Sequence, residues 1–437
     1  MPFSAALIIP GDSMIQTFTR ELAQCLYHSE WHFTTLLAAC IQRIDNLPDD
    51  IDGFISQLLN VYNEKPALEL LAGFLEQSRW VRSWFVVPAR APRFRIYNLE
   101  PVSGTTRAEL PPLDSPAGLS LWLGLSPGHL DWIAGLKRVD ASRPRRLDNY
   151  HYSLLRKRHT GSRLIESPKT ILKAVQRRIL NRILCHAPVH RAAMGFRKGC
   201  SSLDHARLHC RKRYVFCFDL ENYFQSIQWL PVWRVFRTLG YPKKTANYLS
   251  ALCTHACPPG ALARFGLGDH YNRLLRERHL PQGAPTSPAL SNAIMLGLDR
   301  RLSGLARRLE LDYSRYADDL VLSGNGKRNW DFLAPLVGSI CLDEGFSLNH
   351  RKTRRLTRSQ SQKVVGVVVN EKINIDRRYY DDLKATLFNC VRFGPDSQNR
   401  GQHKDFCAHL LGKIHYVASV NTSKGQKLLQ LFDRIAF

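Results

Sequence analysis

No stretch of this 437-residue chain approaches the roughly 18 consecutive apolar residues of a membrane span, so a spanning protein is not expected. Cysteine is scarce: eleven residues, odd in number and irregularly spaced, exclude a disulfide framework and suit reduced thiols in a cytoplasmic protein. Met1 to Pro10 has no basic segment ahead of its short apolar run, so no secretion signal is expected. There is no internal repeat and no low-complexity tract. Acidic residues are the other shortage, 37 against 62 Lys and Arg, for a net charge of +25. Apolar residues still make up 44%, the share of a folded globule, so the excess is not a basic disordered tail. A folded surface this basic calls for a polyanionic partner, because each Lys or Arg that neutralises a phosphate releases a counterion. Nucleic acid is the expected one.

The charge is unevenly spread. Residues 1–90 hold six Lys/Arg against ten Asp/Glu, a net −4, and the remainder carries +29. In the acidic segment apolar residues recur at helical spacing, in Phe18, Leu22, Cys25 and Leu26 and again in Leu68, Leu70, Leu71 and Phe74. A small helical domain over 1–90 is expected. Pro88 to Pro116 is rich in Pro, Gly and Arg and reads as a linker. Ser115-Pro116 and Ser126-Pro127 then each begin a short helix, so that 91–140 forms a linker with two helices.

Further on, Tyr214-Val-Phe-Cys-Phe218 is a continuous apolar run ending in Asp219, the pattern of a buried strand with a carboxylate at its C-terminal end. Leu311 to Tyr316, then Ala317-Asp318-Asp319, then Leu320-Val-Leu322 and Ser323-Gly324 read as strand, tight turn and strand. Alone, an Asp-Asp pair in a hairpin is a solvated turn. Three carboxylates gathered on one sheet would instead repel and raise each other's pKa unless divalent cations lay between them. Oxygen donors select Mg²⁺, with Mn²⁺ as a substitute, and a pair of such ions serves nucleotidyl transfer.

These segments resemble the bacterial reverse transcriptases. Tyr316-Ala-Asp-Asp319 matches that family's catalytic tetrapeptide, Phe218-Asp219-Leu220 with Phe224 its first carboxylate motif, and Leu280-Pro-Gln-Gly-Ala-Pro-Thr-Ser-Pro288 its template and nucleotide motif. The likeness runs from about Tyr152 to Ile435. It takes in Gly161-Ser-Arg163, Gly345-Phe346 to Lys352-Thr353, Val364-Val-Gly366 to Asn370, and Leu411-Gly-Lys413 to Val420-Asn421. It implies an α+β right-hand polymerase: fingers over 141–218, a palm with a ferredoxin-like sheet over 219–372, a helical thumb over 373–437, and an N-terminal helical extension.

The resemblance also implies roles. Asp219 and Asp318 would bridge two Mg²⁺, with Asp319 beside them and the Leu220 carbonyl as a further ligand. Phe224 would collide with a ribose 2′-hydroxyl, or else be a core aromatic. Gln282 and Gly283 would let the backbone approach the incoming nucleotide and template. Arg163 would stack on the base and touch phosphates, with Arg156 or Lys157 adding a phosphate contact. Lys352 would protonate the leaving pyrophosphate or simply contact phosphate. Arg377, Arg378, Tyr379, Tyr380, Lys384, Lys413, His415, Tyr416, Lys424 and Lys427 interleave charge with rings and suit a helical grip on a template-product duplex. Cys253-Thr-His255-Ala-Cys257, with His270 and His279 downstream, does not have zinc-finger spacing, and no structural zinc is expected there.

Retron enzymes, which make a DNA joined to their own RNA, carry an Asn-Ala-x-x-His sequence and a Val-Thr-Gly triplet. Here those places read His205-Ala-Arg-Leu-His209 and Val364-Val365-Gly366. Each differs by one residue, which favours the unknown-group enzymes of antiphage defence, copying a cognate noncoding RNA. Their partners would be that RNA, the cDNA duplex and dNTPs, with no membrane and with self-association or a protein partner through residues 1–90. Retron activity, protein-primed or untemplated synthesis, and a catalytically idle RNA-binding scaffold are the alternatives.

Overall fold

The computed structural model describes residues 11–87, 90–94, 109–136, 148–156 and 162–437. The chain divides into two compact units, each built from separated segments: 1–190, 220–302 and 329–349 in the first, 191–219, 303–328 and 350–437 in the second.

The first unit begins with five helices, α1 (Gly11–Tyr27), α2 (Phe33–Arg43), α3 (Ile51–Val61), α4 (Leu68–Gln77) and α5 (Arg79–Ser83). Their core holds Phe18, Leu22, Leu26, Leu36, Phe54, Leu58, Leu71 and Leu75, so the helical expectation for this segment stands. Leu70 departs from it: at 56% exposure it faces solvent, because the buried stripe of α4 steps from Leu71 to Leu75. A two-residue ribbon, β1 (Ile44–Asp45) with β2 (Arg93–Phe94), closes the bundle. Arg43 ends α2 in a buried ion pair with Asp343, 2.7 Å away, and Asp343 accepts from Arg301 at 2.6 Å as well. That carboxylate ties the N-terminal helices to helix Leu333–Asp343.

Both Ser-Pro helices form, Pro116–Leu123 and Pro127–Ala134. Ser115 and Ser126 accept from the backbone of Gly118 and His129, and each helix ends at a left-handed glycine, Gly124 or Gly135. Next, β3 (Tyr150–Arg156) pairs antiparallel with β4 (Ser162–Pro168), whose Leu164, Glu166 and Pro168 turn inward in strict alternation.

The second unit carries a four-stranded antiparallel sheet in the order β6-β7-β5-β8, made by β5 (Tyr214–Asp219), β6 (Asp312–Tyr316), β7 (Asp319–Gly324) and β8 (Arg354–Thr357). As its unbroken apolar run implies, β5 is central and buried from Val215 onward. Val215, Cys217 and Val321 share one core with Val364 and Val367 and with Leu387, Ile414 and Leu428 of three C-terminal helices, Arg377–Phe393, Phe406–Val420 and Thr422–Phe432. No helix among the described residues is long and apolar enough to cross a membrane.

Candidate active site

The acid residues of the second unit meet at one end of its sheet. Register sets Asp219, the last residue of β5, directly opposite Asp319, the first of β7. Asp318 lies in the two-residue turn between β6 and β7, where Tyr316 pairs with Asp319 and Ala317 takes a φ of 56°. A positive φ at the first turn position matches the twist of the flanking strands and keeps the hairpin tight.

The tip is braced from below. Met194 N donates to Arg315 O and Arg315 N to Ala192 O, both at 2.8 Å. A Cβ on Gly195 would come within 2.6 Å of Ala317 N, so only glycine fits beneath the turn. Behind the strands, His209 bonds Ser323 through Nδ1 at 2.7 Å and Ser314 through Nε2 at 2.8 Å, and Ser314 in turn meets His205 Nδ1 at 2.7 Å. Burial pushes His205 down to about 4 and His209 well below the usual imidazole range, so both rings are neutral.

Asp219 is held by Lys352, whose Nζ donates to its two oxygens at 2.9 and 2.8 Å from the turn His350–Lys352. Burial first, then the charges of Asp318 and Asp219, push the Asp319 carboxyl up to about 7, while Lys352 and Arg354 pull it the other way. Carboxylates opposed in register beside a cation are hard oxygen donors of the kind a divalent ion takes, and its charge would relieve the repulsion that the ammonium offsets in part. Among the described residues, the donor atoms that all lie within 4.8 Å of one another belong to a different group, Glu166, His255 and Cys257.

The other predicted site residues lie in the first unit. Leu220 is bridged to Leu348, and Glu221 N donates to Ser347 O at 2.8 Å. Phe224 is half-buried on the short helix Tyr223–Ser226, its ring 5.1 Å from that of Tyr223. The next residue, Gln225, reaches Gln282 at 3.5 Å. Gln282 O accepts from Glu166 N at 2.8 Å, and a Cβ on Gly283 would come within 2.9 Å of Glu166 O, so this loop lies flat on β4. Arg163 is half-buried on the same strand. The structure thus brings together Arg163's strand, the Gln282-Gly283 loop and the Phe224 helix. Arg156 ends β3, and Lys157 and Gly161 lie outside the described residues.

On the C-terminal helices Lys424 stands 4.8 Å over the Tyr380 ring and Tyr379 meets Tyr416 edge-on, with Arg377, Lys384, His415 and Lys427 exposed. Gly195, Arg315 and the Ser314/Ser323 pair escaped sequence reasoning. The signal available was Ser323 interrupting the apolar run of β7 and Ser314 lying between the two tyrosines of β6.

Residues 155–369 match the family model described as "Reverse transcriptase (RNA-dependent DNA polymerase)". The chain is 36% identical over 298 residues to the retron Mx65 reverse transcriptase of Myxococcus xanthus, covering 68% of this chain and 67% of that protein. It is 34% identical over 361 residues to the retron Mx162 reverse transcriptase of the same organism, covering 79% and 70%. With the retron Ec86 reverse transcriptase of Escherichia coli the identity is 30% over 274 residues, covering 62% and 76%.

Proposed function

The chain belongs to the retron-related bacterial reverse transcriptases, which are RNA-directed DNA polymerases, and we propose that it copies a cognate noncoding RNA into cDNA for antiphage defence. The observation that carries the catalytic part is the register of Asp219 against Asp319 with Asp318 in the adjoining turn, three acids at one sheet end beside Lys352.

Enzymes of this family use divalent metal ions. In this reading Asp219, Asp318 and Asp319, with the Leu220 carbonyl, hold two Mg²⁺, or Mn²⁺ in their place. Bound there, the ions would favour the deprotonated 3′-hydroxyl and neutralise charge on the departing pyrophosphate. The protein's own groups supply the rest. Lys352 gives a proton to the leaving pyrophosphate. Phe224 excludes the ribose 2′-hydroxyl and so selects dNTPs. Arg163, with Arg156 or Lys157, holds the triphosphate, and Gln282 and Gly283 present backbone to nucleotide and template. The exposed cations and rings between Arg377 and Lys427 grip the duplex by its backbone.

Primer extension on an RNA template with labelled dNTPs tests this directly. Asp318→Ala with Asp319→Ala should abolish synthesis while RNA binding persists, and continued synthesis by that variant would refute the assignment. Identity to three retron enzymes favours a product still joined to its RNA over free cDNA. In this reading His205-Ala-Arg-Leu-His209 and Val364-Val365-Gly366 are variants of the retron marks. A product whose mobility does not change on ribonuclease treatment would exclude the linked form, and plaque counts with and without active enzyme test the defence role.

A further inference from the structure

We propose that Glu166, His255 and Cys257 form a structural zinc site, separate from the acid cluster of the sheet. Their donor atoms all lie within 4.8 Å of one another, and Glu166 Oε1 stands 3.9 Å from His255 Nε2. Tetrahedral Zn–O, Zn–N and Zn–S bonds of about 2.0–2.3 Å place neighbouring donors roughly 3.3–3.8 Å apart, so closing the group takes side-chain adjustments of under about 1 Å.

A second observation points to an ion independently of that spacing. Glu166 is fully buried, and its Oε1 has no hydrogen-bond partner. Its other oxygen is satisfied by His279 Nε2 at 2.8 Å, and His279 is oriented by Glu277 O, 2.7 Å from Nδ1. On the Cys257 side the packing is apolar: Leu164, Ala261, Leu262 and Leu275 share one core with it. A bare carboxylate oxygen in such surroundings is costly, and it is aimed at a thiol and an imidazole. Tyr152 Oη now bonds His255 Nε2 at 2.8 Å; an ion at Nε2 would displace that hydrogen bond, and the freed hydroxyl or a water would take the fourth position.

The donor set selects the metal. One thiolate, one imidazole and one carboxylate suit Zn²⁺, whereas Mg²⁺ requires oxygen ligands. Binding would release the Cys257 thiol proton to solvent, and the His279 contact would orient Glu166 as carboxylates commonly orient metal-bound imidazoles. Finger spacing missed the site because Glu166 comes from β4, some ninety residues before Cys257, and because Cys253 is not among the converging donors. An ion here would staple β4, on which the Gln282-Gly283 loop rests, to the 255–257 segment.

The test uses the full chain expressed with zinc sulfate and purified without chelator. Elemental analysis should find about one zinc per chain, kept by Asp318→Ala with Asp319→Ala and reduced to under about 0.2 in Cys257→Ser. Replacement by cobalt chloride should give a thiolate-to-cobalt charge-transfer band in the full chain and none in Cys257→Ser, a readout that requires no polymerase activity. Sub-stoichiometric zinc in the parent chain together with a melting temperature indifferent to added zinc would overturn the proposal. So would a cobalt spectrum that Cys257→Ser leaves unchanged.

Discussion

Replacing Asp319 by Asn should stabilise the chain in metal-free buffer, and increasingly so as pH rises. The folded carboxyl titrates at about 7 against 3.8 in its ordinary state, because burial and the Asp318 and Asp219 charges disfavour ionisation. The folded state therefore binds the extra proton between those two values, and stability falls as pH rises through that window. At about 1.4 kcal/mol per unit, the wild-type chain loses roughly 2–3 kcal/mol between pH 5 and 8 that Asp319→Asn retains. Groups remote from Asp319 are common to both chains and drop out of the difference, which leaves Asp319 and the neighbours coupled to it. Urea unfolding of both chains with chelator present, at half-unit pH steps, measures it. Magnesium added at pH 8 should narrow the gap, since an ion bound to the folded carboxylate favours its ionised form. Profiles that run parallel from pH 5 to 8 would refute the reasoning and show that Asp319 ionises without hindrance.

Three further outcomes follow from the same geometry. Gly195→Ala drives a methyl group toward Ala317 N and should cost about 1–3 kcal/mol of stability, with primer extension falling in step, as melting and activity assays on one preparation would show. Phe224→Ala should raise rNTP use relative to dNTP by about tenfold or more in competition assays, and an unchanged ratio would return Phe224 to the role of core aromatic. Lys352→Met should lower kcat and remove the alkaline limb of its pH profile if the ammonium donates a proton, whereas a rise in dNTP KM alone would mark a phosphate contact.

What the sequence revealed was local. The run from Tyr214 to Phe218 reads as a buried strand, and a tight turn after Tyr316 follows from the two strand patterns flanking Ala317-Asp318. Ser115-Pro116 and Ser126-Pro127 were readable because cap and ring act on the next three residues. The exposure of Leu70 was not readable, because Leu68, Leu70 and Leu71 are equally apolar and only the bundle's packing chooses among them. Gly195, His209 and Glu166 were hidden for another reason: each acts on residues about a hundred positions or more away, in Ala317, Ser323 and His279. No periodicity within a segment encodes such partners.

The interleaving of the second unit carries a lesson about timing. Its sheet is gathered from three stretches of chain, and β8 together with the helices that cover the sheet belongs to the last of them, 350–437. Contacts so remote in sequence form late and slowly, whereas α1 to α5 close on near neighbours. During synthesis the amino-terminal helices can therefore fold as they emerge, the pairing that sets Asp219 opposite Asp319 must wait some hundred residues for β7, and β8 with the covering helices joins last. The order of synthesis thus puts the acid-bearing hairpin in place ahead of the helices that later cover its sheet.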